Sequence, residues 1–284
     1  MTGTVYVNGD WLEESAATVS VFDRGFLFAD AVYEVVAVLG GKLVDFDPHI
    51  ARLNRSLAAI SLTFPFERND YLKLFRELVI RNGIDEGIAY IQISRGAAPR
   101  DFAFPPSARP TIVAFAAAKA ISNSPTAETG ITVVTRPDVR WRRCDIKTVG
   151  LLGASMTKQA AIDAGADDAW FVDAGGITEG TSSNAYIVTA SRELVTRQLG
   201  NDILAGITRE VVLAVAADQQ LTVVERAFST DEALAATEAF ITSATTFVQP
   251  VVSIDGVTLG DGRPGSISLE LRRRYLDRAH TSAL

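Results

Sequence analysis

The run Ala31-Val32-Tyr33-Glu34-Val35-Val36-Ala37-Val38-Leu39 limits the fold more than any other stretch of the chain. β-Branched residues recur through it and Gly40-Gly41 closes it, so it reads as a strand turning through a hairpin into residues 42–46. Asp47-Pro48 then supplies a capping residue with proline at the first helical position. The helix opened there puts Ile50, Leu53, Leu57 and Ile60 on one face and points Arg52 and Arg55 elsewhere.

Strand and helix signals alternate irregularly through the rest, with no internal repeat. Before the hairpin, residues 5–7 and 18–21 read as short strands. After it comes a helix over 69–82, with Leu72, Phe75, Leu78 and Val79 inward and Gly83 closing it. Strands follow at 87–94 and 111–117, separated by a long loop over 95–106 that is too aromatic for simple disorder. Residues 119–129, rich in Ser, Asn, Pro and Thr, read as a linker. Beyond them strands are expected at 131–135, 169–172, 184–189, 221–225, 239–242 and 248–254, and helices at 152–164, 209–217 and 266–279. Ser229-Thr230-Asp231-Glu232 reads as a capping box. The expected fold is α+β in two domains: a small N-terminal domain over 1–118, the linker 119–129, and a larger C-terminal domain over 130–284.

Composition excludes several classes. A net charge of −7 and a pI near 5.0 leave no basic field to attract nucleic acid or anionic lipid. The Arg272-Arg273-Arg274 run reads as the polar face of the last helix. One cysteine, Cys144, rules out an internal disulfide framework and a cysteine zinc cluster. The two histidines, His49 and His280, have no metal-ligand spacing, so no metal is expected and a histidine-dependent hydrolase is disfavoured. The first residues lack the pattern of a signal peptide, and no apolar run approaches membrane-spanning length; a cytoplasmic protein is expected.

Five lysines stand against 22 arginines, and one lysine has informative company. Lys147, in Cys144-Asp145-Ile146-Lys147-Thr148, is followed by Ile177-Thr178-Glu179-Gly180-Thr181-Ser182-Ser183-Asn184. A Schiff-base lysine needs a rigid, partly desolvated seat. Pyridoxal phosphate (PLP) needs in addition a carboxylate that keeps its pyridine nitrogen protonated. Lys147 and Glu179 are of the right types for those roles. A phosphate wants helix N-terminal amides and an arginine. Gly206-Ile207-Thr208 before a strong helix is a suitable cradle, although Thr208 reads equally as a plain helix cap. Thr242-Ser243-Ala244-Thr245-Thr246 is a second small-residue turn, and Arg52 could supply charge. Taken singly, Tyr33 reads as core and Arg100 as an ordinary loop arginine.

The order of these segments resembles the aminotransferase class IV family of fold-type IV PLP enzymes, and within it the D-amino-acid aminotransferases. The resemblance rests on Asp23-Arg24-Gly25 with Ala31–Val35, on His49-Ile50-Ala51-Arg52-Leu53, on Asp145-Ile146-Lys147, on Thr178–Asn184 and on Leu204-Ala205-Gly206-Ile207-Thr208-Arg209. It implies Lys147 as the cofactor lysine, Glu179 at the pyridine nitrogen, and Arg52, Leu204, Gly206, Ile207, Thr208, Ser243 and Ala244 around the cofactor. Leu151-Leu152-Gly153 and the Arg-Gly-x-x-Pro-Arg loop resemble the D-specific enzymes more than the branched-chain ones. In those, a tyrosine, an arginine and a histidine hold the substrate carboxylate. Tyr33 and Arg100 match the first two, and Phe102 stands where the histidine is expected; Thr245 is also expected at the substrate. Arg24 and Arg142 are candidates to replace the lost donor. The resemblance implies a ping-pong transamination between a D-amino acid and 2-oxoglutarate or pyruvate, by a homodimer whose Arg100 loop reaches the partner's active site. Rival readings are an (R)-selective amine transaminase, an aminodeoxychorismate lyase, a branched-chain L-aminotransferase and a PLP-free binding protein.

Overall fold

Residues 3–219 and 221–284 are described in the computed structural model, and they build two sheets in two compact units. The first unit takes the chain up to Ala120, together with Ile146–Gly150 and Ala279–Leu284. Its elements are β1 (Thr4–Val7), β2 (Asp10–Glu13), α1 (Arg24–Phe28), β3 (Ala31–Leu39), β4 (Lys42–Leu43), α2 (Phe46–Ala59), α3 (Arg68–Asn82), β5 (Glu86–Ser94) and β6 (Thr111–Ala118). The six strands form an antiparallel sheet in the order β2-β1-β6-β5-β3-β4.

Strand alternation sorts this sheet into two faces. Val32, Val36, Val38, Ala89, Ile91 and Ile93 are buried with Ile50, Leu53 and Leu57 of α2 and Phe75, Leu78 and Val79 of α3 in one core. Tyr33, Val35 and Tyr90 lie on the other face and are half-buried. There Tyr90 stacks on Tyr33 at 5.5 Å and on Phe115 at 4.7 Å between ring centroids. Tyr33 is therefore not a core residue, although the strand reading makes it one by default.

Other expectations also shift. Residues 18–21 form no strand. α2 begins at Phe46, with Asp45 in the left-handed region (φ 49°) as the residue before it. Pro48 costs nothing in a first turn, where its missing N–H would have no partner. Asp47 binds Arg68 of α3, with contacts of 2.6 and 3.0 Å, instead of capping. Arg52, expected to point away from the core, is buried. α1 is too short for a periodic signal; Asp23 caps it by accepting a bond from the Gly25 N–H at 2.8 Å.

The second unit takes Ile121–Asp145 and Leu151–Arg278. It comprises α4 (Pro125–Thr129), β7 (Ile131–Pro137), α5 (Leu152–Asp163), β8 (Asp168–Asp173), β9 (Gly176–Gly180), β10 (Asn184–Val188), β11 (Glu193–Thr196), α6 (Ile207–Asp218), β12 (Thr222–Glu225), α7 (Thr230–Leu234), β13 (Glu238–Ser243), β14 (Phe247–Ile254), β15 (Val257–Thr258) and α8 (Ser266–Ser282). The mixed sheet runs β12-β11-β10-β13-β14-β7-β8-β9, with β15 on β14. Ile131, Val133, Trp170, Ile177, Ile187, Phe228 and Ile241 are among its core.

The division falls between Ala120 and Ile121, and residues 121–129 carry α4 and pack inside the second unit. Gln249 of β14 donates to the Thr126 carbonyl at 2.5 Å, and Ile121 is fully buried. The expected unbroken run 130–284 is interrupted twice, because Ile146–Gly150 and Ala279–Leu284 belong to the first unit. At the second of these, Leu43 and Leu284 exchange backbone hydrogen bonds of 2.9 and 3.0 Å. Arg272 is not on a polar face: it is buried and donates to the carbonyls of Thr246, Val248, Ile121 and Ser122. Among the described residues no helix is long and apolar enough to cross a membrane.

Candidate active site

In the first unit, Lys147 is seated by its backbone. β4 pairs with β3 only at Val38 and Leu39, which leaves the edge of β3 near Ala31–Tyr33 without a strand partner on that side. The 146–150 segment fills that edge. The Tyr33 N–H donates to the Lys147 carbonyl at 3.0 Å, the Val149 N–H donates to the Ala31 carbonyl at 3.2 Å, and Val32 and Thr148 form an antiparallel bridge. The Lys147 N–H donates to Ser56 Oγ of α2 at 3.3 Å, and Ile146 is buried in the core. The half-buried Lys147 ammonium stands 4.3 Å from the Tyr33 ring centroid. No carboxylate among the described residues pairs with it.

Behind Tyr33 on the core face, Glu34 is completely buried. Arg52 grips it with two bonds, Nε to Oε1 at 2.7 Å and Nη2 to Oε2 at 2.9 Å, and His49 Nδ1 lies 2.8 Å from Oε2. Burial alone would raise the Glu34 carboxyl; the charge and hydrogen bonds of Arg52, with His49, override it and hold Glu34 far below the ordinary carboxylate range. Burial lowers the His49 imidazole in spite of the pull of Glu34. Neutral His49 then donates through Nδ1 and is no free base.

The loop over 95–110 is held by buried charge. Gly96 (φ +93°) passes so close to the Arg109 carbonyl that a Cβ would collide with it. Asp30 accepts from Arg24 Nε at 2.7 Å and from Arg95 Nε and Nη2 at 2.8 and 3.0 Å. Arg24 also donates to the Asp101 carbonyl at 2.5 Å, and Arg95 lies 3.6 Å from the Phe104 ring centroid. Arg24 is thus committed to the loop and is not a spare donor for a substrate carboxylate. Arg142 is exposed on the other unit. Arg100 is exposed, its guanidinium 5.2 Å from the Phe28 ring and 5.8 Å from the Phe102 ring, with no carboxylate partner among the described residues. Phe102 itself is 79% exposed.

In the second unit, Glu179 is the buried carboxylate of β9. Its Oε2 accepts from the Asn184 amide at 3.0 Å and from the Leu204 N–H at 3.1 Å, and its Oε1 accepts from Arg140. Burial pushes the Glu179 carboxyl up to about 7, against the charge and hydrogen bond of Arg140. The Asn184 amide also donates to the Leu204 carbonyl at 2.9 Å. A Cβ at 206 would collide with Asn184 Oδ1, so a larger residue there would have to push aside the Asn184 amide that holds Glu179 and Leu204. Gly206 precedes α6, whose first-turn amides at Ile207 and Thr208 have no partner within the helix and no capping side chain. Asn184 pairs with Thr242 across β10 and β13, which brings the Ser243 turn to the same end of the sheet. Ser243 Oγ is folded into that turn, accepting from the N–H groups of Thr245 and Thr246 at 3.3 and 3.2 Å. Ala244 and Thr245 are half-buried beside it.

The first unit therefore assembles Tyr33, Arg52 and Lys147, and the second assembles Glu179, Leu204, Gly206, Ile207 and Thr208. Sequence reading missed Glu34, His49, Ser56, Asp138, Arg140 and the bonding role of Asn184. A lone carboxylate in an apolar strand, with His and Arg one turn apart on the next helix, was the available sign of the first trio. The donor set fits PLP: a seated amine free of carboxylates among the described residues, a buried carboxylate, and open helix amides beside a glycine.

The family model described as amino-transferase class IV matches residues 31–254. The chain belongs to that family. It is a PLP-dependent aminotransferase. A D-alanine aminotransferase of Bacillus licheniformis is 40% identical over 266 residues, 93% of each chain. The branched-chain amino acid aminotransferase of Escherichia coli shares the fold, with a TM-score of 0.91 at 19% identity over 98% of this chain and 95% of that one. A second branched-chain amino acid aminotransferase, the T.th. enzyme with pyridoxamine 5'-phosphate, aligns with a TM-score of 0.88 at 24% identity, covering 98% of this chain and 94% of that one.

Glu34→Ala removes the buried carboxylate that Arg52 and His49 share and is expected to cost about 3–5 kcal/mol in urea unfolding. A loss below about 1 kcal/mol would show that the pair is not structural.

Proposed function

We propose that this chain moves the amino group of a D-amino acid to a 2-oxo acid, 2-oxoglutarate or pyruvate, by a ping-pong mechanism. The observation that carries the reading is Lys147: a lysine seated by backbone bonds on a strand edge, half-buried, its amine over Tyr33 and unpaired with any carboxylate among the described residues. The 40% identity to a protein named D-alanine aminotransferase supports a D-amino acid as donor.

Bound PLP supplies the electron sink that makes the substrate Cα proton removable. Lys147 Nζ would hold the cofactor, and the same amine is the group placed to move the substrate Cα proton as general base. Glu179 would accept a hydrogen bond from the protonated pyridine nitrogen and so keep the proton on the ring. Arg52, fixed by Glu34 in the first unit, would offer the phosphate a guanidinium; in the second unit the Ile207 and Thr208 amides, with Gly206 before them, and the Ser243-Ala244 turn would offer it donors, and Leu204 would offer the cofactor an apolar contact. Tyr33 and Arg100 in the first unit, and Thr245 in the second, are the groups assigned to the substrate. The exposure of Arg100, Phe102 and Phe104 supports a homodimer in which this loop reaches the partner's active site.

Phe102 favours a second reading. Its exposed ring beside Arg100 offers an apolar wall where a carboxylate donor is expected, as an (R)-selective amine transaminase would need.

Two variants test these assignments. Lys147→Ala is expected to abolish turnover of D-alanine with 2-oxoglutarate and to leave no PLP attached to the protein after borohydride reduction; turnover at the wild-type rate would remove Lys147 from the mechanism. Phe102→His restores a charge-assisted hydrogen bond worth about 1.5–3 kcal/mol, so the KM for D-alanine should fall roughly ten- to hundredfold. An unchanged KM would show that Phe102 does not face the substrate carboxylate.

A further inference from the structure

The residues around Glu179 include a cation that the reaction scheme above does not use. Arg140 follows β7 in a turn with Asp138, and it is mostly buried, its guanidinium 4.3 Å from the Phe171 ring centroid. Two of its nitrogens meet Asp138, Nε to Oδ1 at 3.0 Å and Nη2 to Oδ2 at 2.7 Å. Nη2 also donates to the Asp202 carbonyl at 3.1 Å, and Nη1 donates to Glu179 Oε1. The fork is fixed on three sides, and its remaining arm is aimed at the one carboxylate assigned to the ring nitrogen. A lysine could not reproduce this, because its point charge cannot meet two carboxylates in one plane.

We propose that Arg140 is a positioning residue, strung between Asp138 and Glu179, that keeps the Glu179 carboxylate ionised so that the shared proton stays on the pyridine nitrogen of PLP. The inference rests on the assignment of Glu179 to that nitrogen. Burial favours the neutral carboxyl, and if the shared proton sat on Glu179 instead of on the ring nitrogen, the electron sink would be weaker. The opposing charge of Arg140 is what makes a buried carboxylate tolerable there. Asp138 acts in both directions: it orients the fork, and its own negative charge pushes the Glu179 carboxyl up. The other titratable groups coupled to this cluster are Cys144, Asp202 and Tyr186.

The two neighbours therefore predict opposite effects. In Arg140→Gln, Glu179 loses the group that lowers it, its proton affinity rises, and the proton shifts from the ring to the carboxyl. In Asp138→Asn, Glu179 loses a group that raises it, and the shift reverses. The test loads wild type and both variants with PLP labelled with 15N in the ring and follows the 15N resonance and kcat for D-alanine against pH. Arg140→Gln should move the resonance towards unprotonated pyridine at neutral pH and shift the acidic limb of the kcat profile upward by about one unit or more, a loss of roughly tenfold at pH 7. Asp138→Asn should shift that limb downward, and Arg140→Lys should fall between wild type and Arg140→Gln. If Arg140→Gln does not fold, the Asp138→Asn and Arg140→Lys shifts decide alone. Unshifted profiles, or shifts of the same sign in both variants, would overturn the proposal and leave Arg140 a structural tie. A wild-type protein that takes up no PLP, or whose ring nitrogen signal is unchanged by Glu179→Gln, would instead overturn the assignment beneath it.

Discussion

The docking of Ile146–Gly150 along the open edge of β3 is the constraint on which the proposed chemistry depends. An unpaired strand edge presents N–H and C=O groups that must find partners. Here the partners come from a distant segment, through backbone bonds that Tyr33 and Val149 donate and the bridge of Val32 with Thr148. The same bonds place the Lys147 side chain over the ring of Tyr33. Ile146 adds buried apolar area and Ser56 accepts the Lys147 N–H, so the reactive amine stands on a fixed backbone and not on a free loop. Such a seat suits the role proposed for Lys147: main-chain bonds hold the residue, and the long side chain is left free to move.

Arginine does most of the interior electrostatic work. Arg52 grips Glu34, Arg24 and Arg95 share Asp30, Arg140 joins Asp138 to Glu179, and Arg272 gathers backbone carbonyls. In each case a planar fork with several donors satisfies more than one acceptor at once, and a buried carboxylate or a turn is fixed as a result. Such pairs contribute little net stability over an apolar replacement, but losing one partner strands a charge in the interior. They fix geometry, and three of the four lie beside residues assigned to cofactor or substrate.

The elements were largely legible in the sequence. The nine-residue strand over 31–39, the helices over α2, α3, α5, α6 and α8 and most strands of the second sheet announce themselves by periodicity and caps. The residues proposed for the cofactor stand out as well, because a lysine, a glutamate and a glycine-led helix start follow in a recognisable order. What periodicity could not reveal was the fate of charged side chains. Arg52 and Arg272 read as solvated and are buried, since the partner that makes burial tolerable comes from elsewhere in the chain. Tyr33 failed in the other direction: alternation gives two faces, and only the packing of α2 and α3 decides which is core. Nor does local pattern show that 146–150 leaves the second unit to complete the first, because strand-edge pairing is non-local. Short elements such as α1 and β9 were lost for want of a full period.

The visible spectrum of the purified protein tests the role of Lys147 and the choice of donor most directly, recorded before and after adding D-alanine, L-alanine, L-leucine or (R)-1-phenylethylamine separately. The expected result is a yellow cofactor band that D-alanine bleaches and L-alanine and L-leucine leave unchanged. Bleaching chiefly by the amine or by L-leucine would contradict the D-amino-acid assignment, and a protein that stays colourless after PLP is added would contradict the role given to Lys147.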